Sequence, residues 1–217
     1  MSAYTVPLPA YSVREEKLNI LSHAAGAVVF GGASVWLLIR AFTVLGGIRP
    51  FFFLLYSVCL VELYVMSSVY HGTKNPERRR LTQKGDHTSV NILIMGSDIA
   101  FLAGVLFDKT AFILSGCVVA LSLMSIVFNL INVKKFRAVT MVTYIITGWC
   151  CLIVVKQLMQ TLGQTAFAFL LAGGLVYTSG LVFYGLKREF SHAVWHLFVL
   201  LGSILQFAAI MIFLYRG

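Results

Sequence analysis

Along its length the chain repeats one pattern: about 20 apolar positions in a row, then a short polar break that carries most of the charge. A helix rises about 1.5 Å per residue and a hydrocarbon core is about 30 Å thick, so runs of this length predict membrane-crossing helices. Seven are expected, over residues 20–44, 51–71, 87–107, 110–132, 138–156, 166–185 and 192–215. Only helices or closed barrels satisfy the backbone in lipid. Strands of a barrel would alternate in polarity over about 10 residues, which excludes that fold. The expected fold class is therefore an all-α integral membrane protein built as a seven-transmembrane-helix bundle. Residues 1–19 form an amino-terminal segment and 20–217 a single membrane domain, with no repeat or linker, and the longest break, 72–86, is only fifteen residues.

Composition agrees, with 59% hydrophobic and 12% charged residues. The first apolar run is longer than a signal-peptide core and lacks a small-residue cleavage site, so it is kept as the first membrane helix. Cys59, Cys117, Cys150 and Cys151 all fall inside expected spans without metal-type spacing, which leaves them as packing residues.

The net charge of +9 raises the question of nucleic acid, but the basic residues sit in short breaks. Twelve of the seventeen fall on the side of the amino terminus: Arg14, Lys17, Lys74, Arg78, Arg79, Arg80, Lys84, Lys134, Lys135, Arg137, Lys187 and Arg188. Arg40, Arg49, Lys109, Lys156 and Arg216 fall on the other. The positive-inside rule then puts the amino terminus in the cytoplasm and the carboxyl terminus outside. Membrane lipids are the expected partners and nucleic acid is not, because a basic run such as "RRR" meets anionic headgroups.

This topology brings the histidines together. "SSVYHG" ends the second span and leaves His71 at the cytoplasmic surface, while "SHAVWH" opens the seventh and leaves His192 and His196 at the same depth. Residues four apart share a helix face, so the latter two can grip one ion while His71 arrives from a neighbouring helix. Three neutral imidazoles and an open position suit catalytic Zn2+, which makes water nucleophilic near neutral pH. Ala193 stands where a soluble HExxH protease has its base, so the base is sought elsewhere. Asp86, expected to start the third span on the same side, is the candidate. Ser67, four residues before His71, is the candidate for orienting water or donating to an oxyanion. The plainer alternative is that each histidine anchors in the headgroup region or caps a loop. His87 and His23 are not counted among the ligands: His87 points about 100° away from Asp86 around the helix and is taken as interfacial, and His23 either supports the site from behind or makes a capping or headgroup contact.

These residues carry a family resemblance. "EEKLNILSHAAG", "SSVYHG", "GDHTSVNILIMGS" and "SHAVWH" occur in order, and from Glu15 onward the chain resembles the progestin and adipoQ receptor family, in its bacterial hemolysin III branch. The resemblance implies seven helices and a cytoplasm-facing zinc site at positions matching His71, His192 and His196, with Asp86 and Ser67 beside it. It also implies similarity to membrane-embedded amide hydrolases, with ceramidase activity among eukaryotic members, and for bacterial relatives haemolysis by name and membrane-lipid homeostasis. The expected location is the bacterial inner membrane, and the expected substrate a lipid.

One stretch departs from the family pattern. After "LIMGS" the chain reads "DIAFLAG", which puts Asp98 near the middle of the third span, with Glu62 at a similar depth in the second. Carboxylates there are costly and are expected to face the bundle interior, hydrogen-bonded to polar groups such as Ser57 or Ser97. The functional alternative is a shared proton or cation site, which would make the protein a transporter. A non-enzymatic zinc-clamped sensor is the third reading. Gly26, Gly31 and Gly32 permit close helix approach, within the bundle or between protomers.

Overall fold

The computed structural model describes Pro9, residues 11–186 and residues 188–216, so Lys187 and most of the segment before Tyr11 lie outside the described residues. The chain is helical almost throughout. Helix α1 spans Val13–Val44, α2 Arg49–Gly72, α3 Pro76–Ile99, α4 Lys109–Gly148, α5 Val155–Gly185 and α6 Ser191–Arg216. A π-helical turn, Ala100–Leu106, continues α3, and a 3-10 turn, Cys150–Val154, joins α4 to α5. Joined across these turns and kinks, they give, among the described residues, five helical stretches long and apolar enough to cross a membrane.

Seven separate helices were expected, and the difference lies between residues 109 and 185, where one helical stretch is continuous. Its backbone leaves the helical region at Asn132 (φ −161°, ψ 98°) and at Gly163 (φ 74°, ψ 166°). Single residues make these breaks. The Asn132 side chain accepts from the backbone N–H of Lys135 at 3.0 Å, capping the next turn, and the left-handed φ at residue 163 is one that glycine adopts without cost. At Gly163 the freed carbonyl of Leu162 accepts from the guanidinium of Arg216 on α6.

The expected fifteen-residue break after the second span is also largely helical. Asn75 accepts from the N–H groups of both Glu77 and Arg78, and Pro76 takes the first helical position, where its missing N–H is not needed. Helix α3 therefore starts eleven residues before the expected position 87, and the "RRR" run lies on its first turns. Asp86 consequently sits well inside α3 and does not start it. The far end of α3 is held by Arg49, which donates to the carbonyls of Gly104 (3.0 Å) and Val105 (2.9 Å) where π-helical geometry gives out at Phe107.

The exterior carries large apolar side chains on every helix, among them Val28, Ile39, Val58, Ile113, Ile146 and Val182. A soluble monomer does not expose apolar surface on this scale, and lipid does not penalise it. The interior is mixed. Phe30, Leu37, Phe53, Leu60 and Leu102 form its apolar part. The inward face of α4 is polar instead, with Ser122, Ser125, Asn129, Thr140, Thr143 and Thr147 buried. Thr140, Thr143 and Thr147 satisfy their hydroxyls by donating to carbonyls three or four residues back.

Helix α1 shows how the fold builds a site at one end. Its buried residues, Glu15, Asn19, His23, Gly26, Phe30, Ser34, Leu37 and Ala41, recur every three or four positions and form one stripe. The first three are polar. Gly26 follows them, and a Cβ there would stand 2.5 Å from the Tyr64 ring of α2, so the close approach of the two helices depends on that glycine. Gly31 and Gly32 meet nothing within 4 Å and have no such role inside the bundle.

Candidate metal centre

His71 ends α2, while His192 and His196 occupy the first two turns of α6. The structure brings one nitrogen of each to within 4.8 Å of the others. The Nε2 of His192 lies 3.2 Å from the Nε2 of His71 and 3.2 Å from that of His196. Two ligands of a tetrahedral Zn2+ at about 2.0–2.1 Å stand roughly 3.3 Å apart, so these spacings match edges of the tetrahedron. All three rings are sheltered; His71 is 3% and His196 1% exposed.

The hydrogen bonds behind the rings decide which nitrogens face inward. His71 Nδ1 lies 2.6 Å from the Glu16 carboxylate and 3.3 Å from the Asn19 side-chain amide; the carboxylate is the shorter contact and can only accept, so the Nδ1 proton points to it and Nε2 keeps its lone pair. Glu16 is itself held by the guanidinium of Arg79. His196 Nδ1 lies 3.4 Å from Ser22 Oγ, and Ser22 already donates to the Asn19 carbonyl, so His196 is the donor and its Nε2 is bare as well. Two bare nitrogens flank His192 Nε2. A single proton on His192 can satisfy only one of them, whereas a cation satisfies all three. The donor set therefore fits a metal ion.

Aromatic rings enclose the triad. Tyr11, ahead of α1, stacks on His192 with ring centroids 5.0 Å apart and tilts against His71 at 5.5 Å. Burial pushes its phenol well above the ordinary range, which keeps it uncharged beside the imidazoles. On the deeper side His23 stacks on His196 at 3.6 Å, with neither of its ring nitrogens partnered. His23 thus belongs to the centre itself and makes no headgroup contact.

Asp86 and Ser67 both line a small cavity beside the triad, of about 20 Å³, which they share with His23, His192 and His196. That volume holds about one water. Ser67 is 1% exposed and its hydroxyl has no partner, so it is free to donate into the cavity. His87 lines the same cavity, contrary to the interfacial position expected of it. Its Nδ1 is 2.9 Å from the Tyr184 hydroxyl, and its carbonyl accepts from Asn129 and Tyr144, each at 3.0 Å. Those partners come from both arms of α4 and from α5, so His87 pins α3 to half the bundle.

Glu16, Asn19, Ser22, Arg79 and Tyr11 were not singled out in the sequence. A signal was present: Glu16, Asn19 and His23 follow one another at three- and four-residue steps on a helix otherwise apolar for the next two turns. Glu62 and Asp98 do not meet. Asp98 lines a larger cavity deeper in the bundle, Glu62 is absent from its wall, and no hydrogen bond joins the two among the described residues. The four cysteines are unpaired.

Comparison with known proteins gives the family. The family model described as haemolysin-III related matches residues 11–207, which include every residue of the histidine centre. The chain belongs to this family. It is 31% identical over 204 residues to the Hemolysin-3 homolog of Bacillus subtilis (strain 168), covering 94% of this chain and 96% of that protein. Hemolysin-3 of Bacillus cereus is 32% identical over 202 residues, with 93% and 92% covered. Human monocyte to macrophage differentiation factor, of the wider progestin and adipoQ receptor family, matches at 34% over 88 residues, 39% of this chain and 35% of that one. No solved structure matches. Family and apolar helices together establish a multi-pass integral membrane protein of the haemolysin III type.

Proposed function

We propose that this protein is a membrane-embedded zinc hydrolase of lipid amides, ceramidase-like in its chemistry, acting in membrane-lipid homeostasis from the bacterial inner membrane. The convergence of three imidazole nitrogens beside a cavity shared with Asp86 and Ser67 carries the reading. In the accompanying topology the chain crosses the bilayer seven times, turning at Asn132 and Gly163, with the amino terminus cytoplasmic. The two backbone breaks and the basic residues near the histidine end support that topology.

His71, His192 and His196 would hold the ion, with Glu16 and Ser22 fixing two of their tautomers. When bound, zinc supplies Lewis-acid chemistry that polarises a carbonyl and makes water nucleophilic near neutral pH. Asp86 is the residue to take up the proton released as water attacks. Ser67, with an unengaged hydroxyl, donates to the oxygen on which negative charge develops. Tyr11 and His23, packed on opposite sides of the triad, exclude bulk water and strengthen those interactions.

A structural role for the metal is the alternative, since it would join α2 to α6 whether or not chemistry follows. The test is elemental analysis of tag-free protein, followed by fatty-acid release from N-acyl lipids in proteoliposomes by the parent and by Asp86→Asn. About one zinc per chain with hydrolysis lost in the variant supports the enzyme. Zinc without hydrolysis of any N-acyl lipid leaves the clamp, and folded protein without metal refutes both.

A further inference from the structure

The larger cavity, about 80 Å³, lies toward the middle of the bundle behind the seam where the second arm of α4 faces α5. The two pack sparsely there, and Trp149 Nε1 donates across the seam to Thr178 Oγ1 at 3.0 Å. Ile145, on this wall, is also 43% exposed on the outside, so the cavity adjoins lipid. Five aromatic residues line it: Phe101, Tyr144, Trp149, Tyr177 and Trp195. Among them stands one acid, Asp98, and among the described residues no lysine, arginine or histidine shares the wall.

The polar groups of the wall are unevenly satisfied. Tyr144 donates to the His87 carbonyl, Tyr177 shares a 2.7 Å bond with Ser203, and Ser97 donates to the Ile94 carbonyl. Asp98 differs: it is 5% exposed, and its Oδ2 is buried without a partner. An acid that shares a cavity wall with five aromatic residues, and with no cation among the described residues of that wall, is complementary to a positively charged donor. Ring faces attract such a charge, and the carboxylate binds it through a charge-assisted hydrogen bond.

We infer that this cavity is a binding site for a lipophilic amine, which enters from the bilayer through the α4–α5 seam and sets its protonated nitrogen against Asp98. The amine is cationic at neutral pH, as lysine's is. Its apolar chain accounts for partition into the membrane beside Ile145. Its acid lies outside the histidine centre, although the two cavities share a wall, and the site stands whether or not that centre is an enzyme.

Two of the three tryptophans, Trp149 and Trp195, line the cavity, whereas Trp36 is bonded to Tyr215 near the ends of α1 and α6. In a Trp36→Phe background, fluorescence quenching by bromododecylamine therefore reports occupancy, with bromododecanol and bromododecanoic acid as chain-matched controls. Saturable quenching by the amine, weakened at least about tenfold by Asp98→Asn, is the expected result. The alcohol and acid should show only the linear quenching of partition. Leu181→Phe keeps the carboxyl and fills the space, so it should abolish saturation too; it covers the case in which the Asp98 variant fails to fold. Equal affinity for amine and alcohol, unchanged binding in a folded Asp98→Asn protein, or saturation surviving Leu181→Phe would each overturn the assignment.

Discussion

Two cavities in this bundle share a wall, formed by Leu63, Val90, Tyr144, Trp195 and Val199, yet they differ in how their polar groups are held. At the histidine end, supports stand behind the triad: Glu16 behind His71, Arg79 behind Glu16, and Ser22 behind His196. In the deeper cavity the hydroxyls of the wall are engaged within the protein and the one acid is not. The first pattern fixes ring orientation, as a metal requires. The second leaves a single group to be satisfied from outside. Burial alone does not distinguish such sites; the partners of the buried groups do.

Substitutions can break this contrast, beginning with the largest effect. His192→Ala removes the imidazole whose Nε2 lies between the other two, and zinc should fall from about one per chain to near none. Retained metal in the purified variant would remove His192 from the ligand set. Asp86→Asn should leave zinc in place and slow hydrolysis by about 10²–10⁴, read as fatty-acid release at saturating substrate. Unchanged turnover would move the base elsewhere, with His87 and Tyr184 on the same wall as alternatives.

Glu16→Gln tests the supports without touching a ligand. Losing the carboxylate behind His71 should weaken zinc affinity by about 10–100-fold in competition with a chelator. An unchanged affinity would make the Glu16 contact incidental. Smaller effects sharpen the fold. Gly26→Leu drives a side chain into the Tyr64 ring and should cost about 1–3 kcal/mol, seen as a lower unfolding midpoint in detergent. Asn132→Ala removes only the cap at the break in α4 and should cost about 1 kcal/mol by the same measurement.

The histidine centre was legible because its signal is short-range. His192 and His196 are one helical turn apart, Ser67 and His71 likewise, and the common depth of the two pairs follows from counting apolar runs. Helix ends were less legible. The polar stretch after Gly72 reads as a loop by composition, yet the Asn75–Pro76 cap starts a helix within it, because capping satisfies N–H groups whether or not the following residues are apolar. The breaks at Asn132 and Gly163 are one residue each, too brief to interrupt a hydropathy average in the way an open loop does.

By itself the sequence determined the class of the protein, the apolar runs, and the residue types available at the basic end. These follow from transfer energetics and helical periodicity, which act locally. Tertiary structure decided which polar residues act together. Glu16 meets His71 across 55 positions of chain, Ser22 meets His196 across 174, and His87 gathers partners 42, 57 and 97 positions away. It also kept Glu62 and Asp98 apart: Gly96 of α3 packs against Cys59 of α2, so the two acids lie on opposite sides of that contact, and only Asp98 lines the deeper cavity. Depth is a one-dimensional property that composition sets. The rotation of each helix about its axis is set by packing against its neighbours, as where Tyr64 seats against Gly26.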